Sequence, residues 1–253
     1  MERRSCCQAI GVSVGPEVFG EDYLYFYEEL LTDERSEREA ELVWRLLELE
    51  LGAEVLDVAC GHGRIANRLA GRGARVTGLD ADPFFLARAR EDAAARGVEV
   101  EYVEGDMRAL PWEASFDATL LWFTAFGYFD DQANAGVLRG IRSVLRDGGR
   151  LVMDINHLPF ILAHFQRQAH IRRGSDVALD DFEWHEERSI LSTRRTYVRD
   201  GVVREIEYDV RLYPPEELRE LALAAGFSRV DLLGMGGEPL TADDRRLVAL
   251  AHG

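Results

Sequence analysis

Residues 55–63 read Val-Leu-Asp-Val-Ala-Cys-Gly-His-Gly, and no other stretch of the chain narrows the fold so far. An apolar run ends in Asp57. A loop of small residues follows, with Ala59, Gly61 and Gly63, and then Arg64-Ile-Ala-Asn-Arg-Leu-Ala resumes at helical spacing. That is the pattern of a strand, a tight turn and a helix. Glycine at 61 and 63 lets the backbone bend sharply and lets another group approach with no Cβ in the way. Backbone N–H groups at the start of the following helix face whatever sits on the turn.

The rhythm continues downstream. Strands are expected near 54–58, 75–79, 99–103, 117–122 and 149–154, and helices near 63–71, 84–96 and 132–146. Pro83 after Asp82 suits a helix start, and Asp147-Gly-Gly reads as a glycine stop for the helix before it. Alternating strands and helices at these intervals predict a parallel sheet with crossovers. After the fifth strand the pattern changes. Phe182 to Leu212 is β-branched, aromatic and alternately charged, and Asp200-Gly201 between two such runs is a hairpin signal. A small antiparallel insertion of three strands, about 180–213, is expected there. A helix follows from Pro214 to Gly226, then two last strands at Phe227–Leu233 and Leu247–Ala251. Ser36 to Leu51 reads as a charged amphipathic helix packed before the first strand, and residues 1–15 as a mobile end.

Two acids follow the glycine turn. Ala74-Arg-Val-Thr-Gly-Leu-Asp is a short strand ending in Asp80, and Gly105-Asp106-Met107 ends the third strand. A carboxylate at the second strand end can accept both hydroxyls of a ribose; one at the third can accept from an adenine amine. With the turn for an amino-acid part, the set matches S-adenosylmethionine. A dinucleotide oxidoreductase is the rival reading, because Gly61-His-Gly63-Arg-Ile-Ala66 satisfies G-x-G-x-x-G/A. Against it stand Asp57 inside the first strand, some fifty residues ahead of that strand, and a Gly105-Asp106 end with no dinucleotide role.

On these residues the chain resembles the class I S-adenosylmethionine-dependent methyltransferases, from about residue 40 to the C-terminus. Phe116-Asp-Ala-Thr-Leu-Leu-Trp and Leu145-Arg-Asp-Gly-Gly-Arg-Leu-Val-Met-Asp extend the likeness. One departure is visible: Ala59 stands where the family usually has glycine. The resemblance implies a Rossmann-like parallel sheet with helices on both faces and an antiparallel C-terminal edge strand, plus the β insertion. It implies cofactor contacts from Asp57, Ala59, Gly61, Gly63, Asp80, Ala81, Asp106, Met107, Leu121 and Trp122, with S-adenosylhomocysteine as product. It also implies an N-terminal helical lid within residues 1–50, ahead of a methyltransferase domain at 51–253. Tyr23 and Tyr27, four apart among Phe19, Tyr25 and Phe26, share a helix face and either line that lid or pack on the core.

Methyl transfer from a sulfonium is an in-line displacement, for which a protein supplies mostly position and desolvation. The acceptor is expected beyond strands four and five. Trp122-Phe-Thr-Ala-Phe-Gly-Tyr-Phe-Asp is similar to a loop of small-molecule, natural-product-tailoring methyltransferases, with Phe126 and Tyr128 as either core or substrate wall. His157 after strand five is the first choice for a general base and His185, beside Trp184, the second. A capping or surface histidine is the competing reading for each. The expected reaction is N- or O-methylation of a small molecule; a catalytically silent methyltransferase-like scaffold is the non-enzymatic alternative.

The 253 residues carry a net charge of −16, with 47% hydrophobic and 30% charged residues, enough for one sizeable domain with an insertion. All 30 basic residues are arginine. Such an acidic surface repels phosphate backbones and anionic lipid, so neither nucleic acid nor a membrane is the expected partner. Three cysteines (Cys6, Cys7 and Cys60) fit a reducing cytoplasm, and Cys60 reads as a small packing residue. No Cys/His spacing suits a metal. A monomer or homodimer is expected.

Overall fold

The computed structural model describes residues 18–253. The expectation for residues 1–15, and Cys6 and Cys7, lie outside them. Eleven strands among the described residues form two sheets. The larger takes β1 (Glu54–Val58), β2 (Arg75–Asp80), β3 (Glu101–Glu104), β4 (Phe116–Leu121), β5 (Leu145–Asn156), β10 (Arg229–Leu233) and β11 (Arg246–His252) in the order β10-β11-β5-β4-β1-β2-β3. β1 to β5 are parallel, and β11 runs antiparallel between β5 and β10. Helices cover both faces, which is why the central strands bury apolar residues at successive positions, as in Leu120-Leu121 and Leu151-Val152-Met153. Leu56, Val58, Leu121 and Met153 pack under α5 (Asp131–Val144) and α7 (Pro215–Ala224). Val55, Leu120 and Val152 pack under α2 (Asp33–Leu46), α3 (Ala66–Gly71) and α4 (Pro83–Arg96). α2 therefore belongs to the main core, whereas α1 (Glu21–Tyr27) packs its Phe26 against Ala178 and Tyr197.

Capping follows the sequence. Asp82 accepts from the Phe84 N–H at 2.9 Å with Pro83 in the first turn of α4, and Asp130 accepts from the Ala133 N–H at 2.7 Å at the start of α5.

Three expectations are corrected. The first helix after β1 begins at Ala66, not 63, because Gly61 and Gly63 sit at φ 55° and 73° and hold a turn open before it. The Asp147-Gly-Gly segment is not a helix stop: α5 has already ended at Val144, and Gly148 (φ 75°) and Gly149 lie inside β5. There the ladder with β4 shifts register between Phe116 and Ala118, and a Cβ on Gly149 would lie 3.0 Å from the Asp117 carbonyl oxygen. The insertion has four strands, not three: after α6 (Leu158–Ala163) come β6 (Gln168–Arg173), β7 (Asp176–His185), β8 (Ile190–Arg199) and β9 (Val202–Arg211), paired antiparallel in that order. β6 is a mostly exposed edge strand, turned into β7 by Gly174 at φ 60°. Asp200 (φ 53°) and Gly201 (φ 75°) make the expected two-residue hairpin turn.

Candidate active site

The carboxyl ends of β1 to β4 and the overlying α1 enclose one cavity. Its floor is the β1 turn. The Cys60 N–H donates to the Leu79 carbonyl at 3.0 Å, tying the turn to β2. Ala59 and Gly61 adopt φ 56° and 55°, and a Cβ on Gly61 would meet nothing within 4 Å, so its face opens into the cavity. A Cβ on Gly63 would fall 2.2 Å from the Tyr102 hydroxyl, so this glycine is needed for packing. The Gly61 N–H donates to Asp80 Oδ2 at 2.7 Å and the Asp82 N–H to Asp80 Oδ1 at 2.9 Å. A carboxylate has about four acceptor sites, so Asp80 keeps capacity for hydroxyls from the cavity. Burial raises the Asp80 carboxyl above its ordinary range. Burial also pushes Asp57 up to about 8, with Asp80 adding to the shift and Arg64 opposing it.

At the β3 end the Gly105 N–H donates to the Asp80 carbonyl at 2.9 Å and brings Asp106 and Met107 to the cavity wall. Arg108 grips Asp106, with Nε 3.0 and 2.9 Å from the two carboxylate oxygens, and holds that carboxyl below the usual range. The Arg108 guanidinium also lies 4.5 Å from the Phe129 ring centre. After β4, Phe123 and Thr124 both adopt left-handed φ, 63° and 60°, held by N–H bonds to the side chain and backbone of Asp154 at 3.2 and 2.9 Å. Two consecutive non-glycine residues in this region store strain of the kind concentrated at functional sites. Trp122 is fixed by donating Nε1–H to Glu39 at 2.9 Å.

Above the floor stand Phe19, Tyr23 and Tyr128. Phe19 meets Tyr23 and Tyr128 edge-on, both at 5.2 Å, and Tyr23 stacks on Tyr27 at 4.3 Å. Burial raises the phenols of Tyr23 and Tyr128, so both stay neutral.

The cavity thus brings together Tyr23, Asp57, Ala59, Gly61, Asp80, Ala81, Asp106, Met107, Trp122 and Tyr128. Gly63 and Tyr27 stand directly behind it, and Leu121 lies wholly in the core. Of the two aromatic residues left between core and wall, Phe126 is core and Tyr128 is wall.

Neither of the two histidines chosen from sequence lines this cavity. His157 is 2% exposed and does not line the cavity; its Nδ1 is 2.7 Å from the Asp244 carbonyl oxygen, which it serves as a donor. The pairing of β5 with β11 brings the Asp244 segment over it. His185 lies on the insertion, lining a different cavity, with Nε2 3.0 Å from Ser192 Oγ. His62 does line the main cavity, where burial lowers its imidazole to about 4.

Sequence reasoning missed Arg64. It is 7% exposed, lines the cavity and stands over the Phe123 ring at 5.1 Å. Glu39 lies 2.6 Å from its Nη2, yet neither Nη has a well-aligned acceptor. An Arg directly after the Gly61-His-Gly63 turn is the signal that was available. Phe85, Phe123 and Arg108 were missed as well; all three line the cavity. Among the described residues, no group of three His, Cys, Asp or Glu is placed to hold a metal, and no helix is long and apolar enough to cross a membrane.

Comparison with known proteins agrees with this geometry. A family described as a methyltransferase domain matches residues 55–149. Demethylmenaquinone methyltransferase of Thermus thermophilus is 34% identical over 223 residues, covering 81% of this chain and 91% of that protein. Cypemycin N-terminal methyltransferase of a Streptomyces species is 33% identical over 214 residues, covering 79% and 82%. In fold, an S-adenosylmethionine-dependent methyltransferase from Clostridium acetobutylicum superposes with a TM-score of 0.76 at 16% identity, covering 91% of this chain and 97% of that one. The matched domain, the relatives and the seven-stranded sheet agree, and the chain is a member of the S-adenosylmethionine-dependent methyltransferases.

Proposed function

We propose that the chain methylates an N or O atom of a small, largely apolar acceptor by in-line displacement. The observation that carries this reading is the composition of the cavity above the β1 turn: Phe19, Tyr23, Phe123, Tyr128 and Phe129 line it, and the carboxylates with them, Asp80 and Asp106, are the ones assigned to the cofactor. His62 is a weak base at about 4, and Asp57 at about 8 is protonated near neutrality. Chemistry in such a site rests on orientation and exclusion of water. An acceptor that presents a free lone pair suits it, and a net charge of −16 disfavours a polyanionic one.

The residues present fit the cofactor. Asp80 would hold the ribose hydroxyls, Asp106 and Met107 the adenine, and Arg64, already paired with Glu39, would turn its remaining N–H groups to the methionine carboxylate. Open space over Gly61 admits a ligand against bare backbone. S-adenosylmethionine supplies an electrophilic methyl group on a sulfonium. Tyr128 would orient the acceptor through its neutral hydroxyl, and Tyr23 would exclude water from above. By their names, one relative methylates demethylmenaquinone and another the N-terminus of cypemycin.

The test has two arms. Isothermal titration with S-adenosylhomocysteine, NAD and NADP should show micromolar binding of the first alone. Incubation with S-adenosylmethionine and a panel of phenols, aromatic amines, quinols and short peptides should add one methyl mass to members of the panel. Methylation confined to nucleic acid or intact proteins would refute the small-acceptor reading.

A further inference from the structure

The lid over the cofactor cavity is fastened to the insertion. α1 turns Tyr23 toward the cavity, where it meets the main domain through an edge contact with Phe85 at 6.3 Å. Its other side is held by arginines of the insertion. Arg204 places Nε and Nη2 each 2.6 Å from the Asp22 carboxylate. Arg199 donates to Asp22 at 3.1 Å and to Glu21 at 3.0 Å. The Tyr25 ring lies between Arg173 and Arg199, each 4.3 Å from its centre, and its hydroxyl donates to Asp176 at 2.8 Å. Beneath, Arg195, itself bound to Asp180, donates to the Tyr27 hydroxyl at 3.0 Å, and Tyr27 stacks on Tyr23.

We propose that Arg199 and Arg204 are positioning residues for cofactor binding: from the far end of β8 and β9 they hold α1 down so that Tyr23 roofs the cavity. The inference rests on the cofactor reading above. Neither arginine lines the cavity, so neither touches the cofactor. α1 has seven residues, too few to stay helical alone, and its order depends on these contacts. The Asp22 pairs are partly shielded, with the aspartate side chain 15% exposed, whereas Arg204 is half exposed. Screening by salt should therefore loosen the clamp.

The test measures S-adenosylhomocysteine dissociation constants by titration, at about 50 and about 500 mM NaCl, for the full chain, Arg199→Gln with Arg204→Gln, and Arg199→Lys with Arg204→Lys. At low salt the glutamine pair should bind roughly fivefold more weakly, the scale of a small ion-pair network. The lysine pair should recover most of that loss. The unaltered chain should weaken with salt by a similar factor and the glutamine pair should not, a signature that general destabilisation does not produce. Equal affinity in the glutamine pair, or equal salt dependence in both, overturns the proposal and leaves the cofactor reading standing. An unaltered chain that binds no S-adenosylhomocysteine overturns both.

Discussion

At the scale of single residues, Asp57 and Asp80 share a buried corner but have different tasks. Asp80 spends two of its acceptor sites on the N–H groups of Gly61 and Asp82 and keeps the rest for the cavity. Replacing it with alanine should weaken S-adenosylhomocysteine binding by about 1.5–3 kcal/mol, the scale of hydrogen bonds to a charged group; unchanged affinity in a titration would remove Asp80 from the ribose role. Asp57 is pushed up to about 8 by burial. For an acid raised in this way the folded chain holds a proton that the unfolded chain has already released. The stability it confers is complete below about pH 4, the ordinary carboxyl range, and is lost as pH rises toward 8. The thermal midpoint of the unaltered chain should therefore fall relative to that of Asp57→Asn between about pH 5 and 8.5. Parallel curves for the two proteins would contradict the shift.

At the scale of elements, the β1 turn separates two uses of glycine. Gly63→Ala drives a Cβ against the Tyr102 hydroxyl, which is already bonded to Asn67 at 2.6 Å, and sits at φ 73°. Overpacking and a left-handed alanine together should cost about 3 kcal/mol of stability. Gly61→Ala meets open space and should cost about 1 kcal/mol, for conformation alone, while its methyl should intrude on the proposed cofactor position and weaken binding. Denaturant unfolding and titration of the pair check the crossed pattern. Elements like this turn were legible because their cues are local: an apolar run, then small residues, then a carboxylate. Asp57, Asp80 and Asp106 were found in that way. Arg64 pairs with Glu39, and Tyr27 with Arg195, only after distant segments meet. β6 escaped for another reason: Gln-Ala-His-Ile-Arg-Arg is a mostly exposed edge whose apolar face is only Ala169 and Ile171, too short a pattern to give it away. His157 sat at the expected strand end, yet the direction of its ring is set by the Asp244 carbonyl, a partner 87 residues on.

At the scale of the whole molecule, the cavity draws on segments far apart in sequence, from Phe19 on the lid to Phe129 after β4. On the proposed reading, a ligand lodged there would bond to the floor at one sheet and touch a roof fastened to the other. Its binding free energy should therefore stabilise the fold as a unit. With ligand at about a hundredfold excess over its dissociation constant, linkage supplies about 2.7 kcal/mol, and a chain of this size shifts its midpoint by about 2–4 °C per kcal/mol. Saturating S-adenosylhomocysteine should raise the thermal midpoint by roughly 5–10 °C in a single transition, and NAD or NADP at the same concentration should leave it in place. A split transition, with only the later half moving, would mean that the lid and insertion unfold apart from the β1 turn and that the roof contributes nothing to binding.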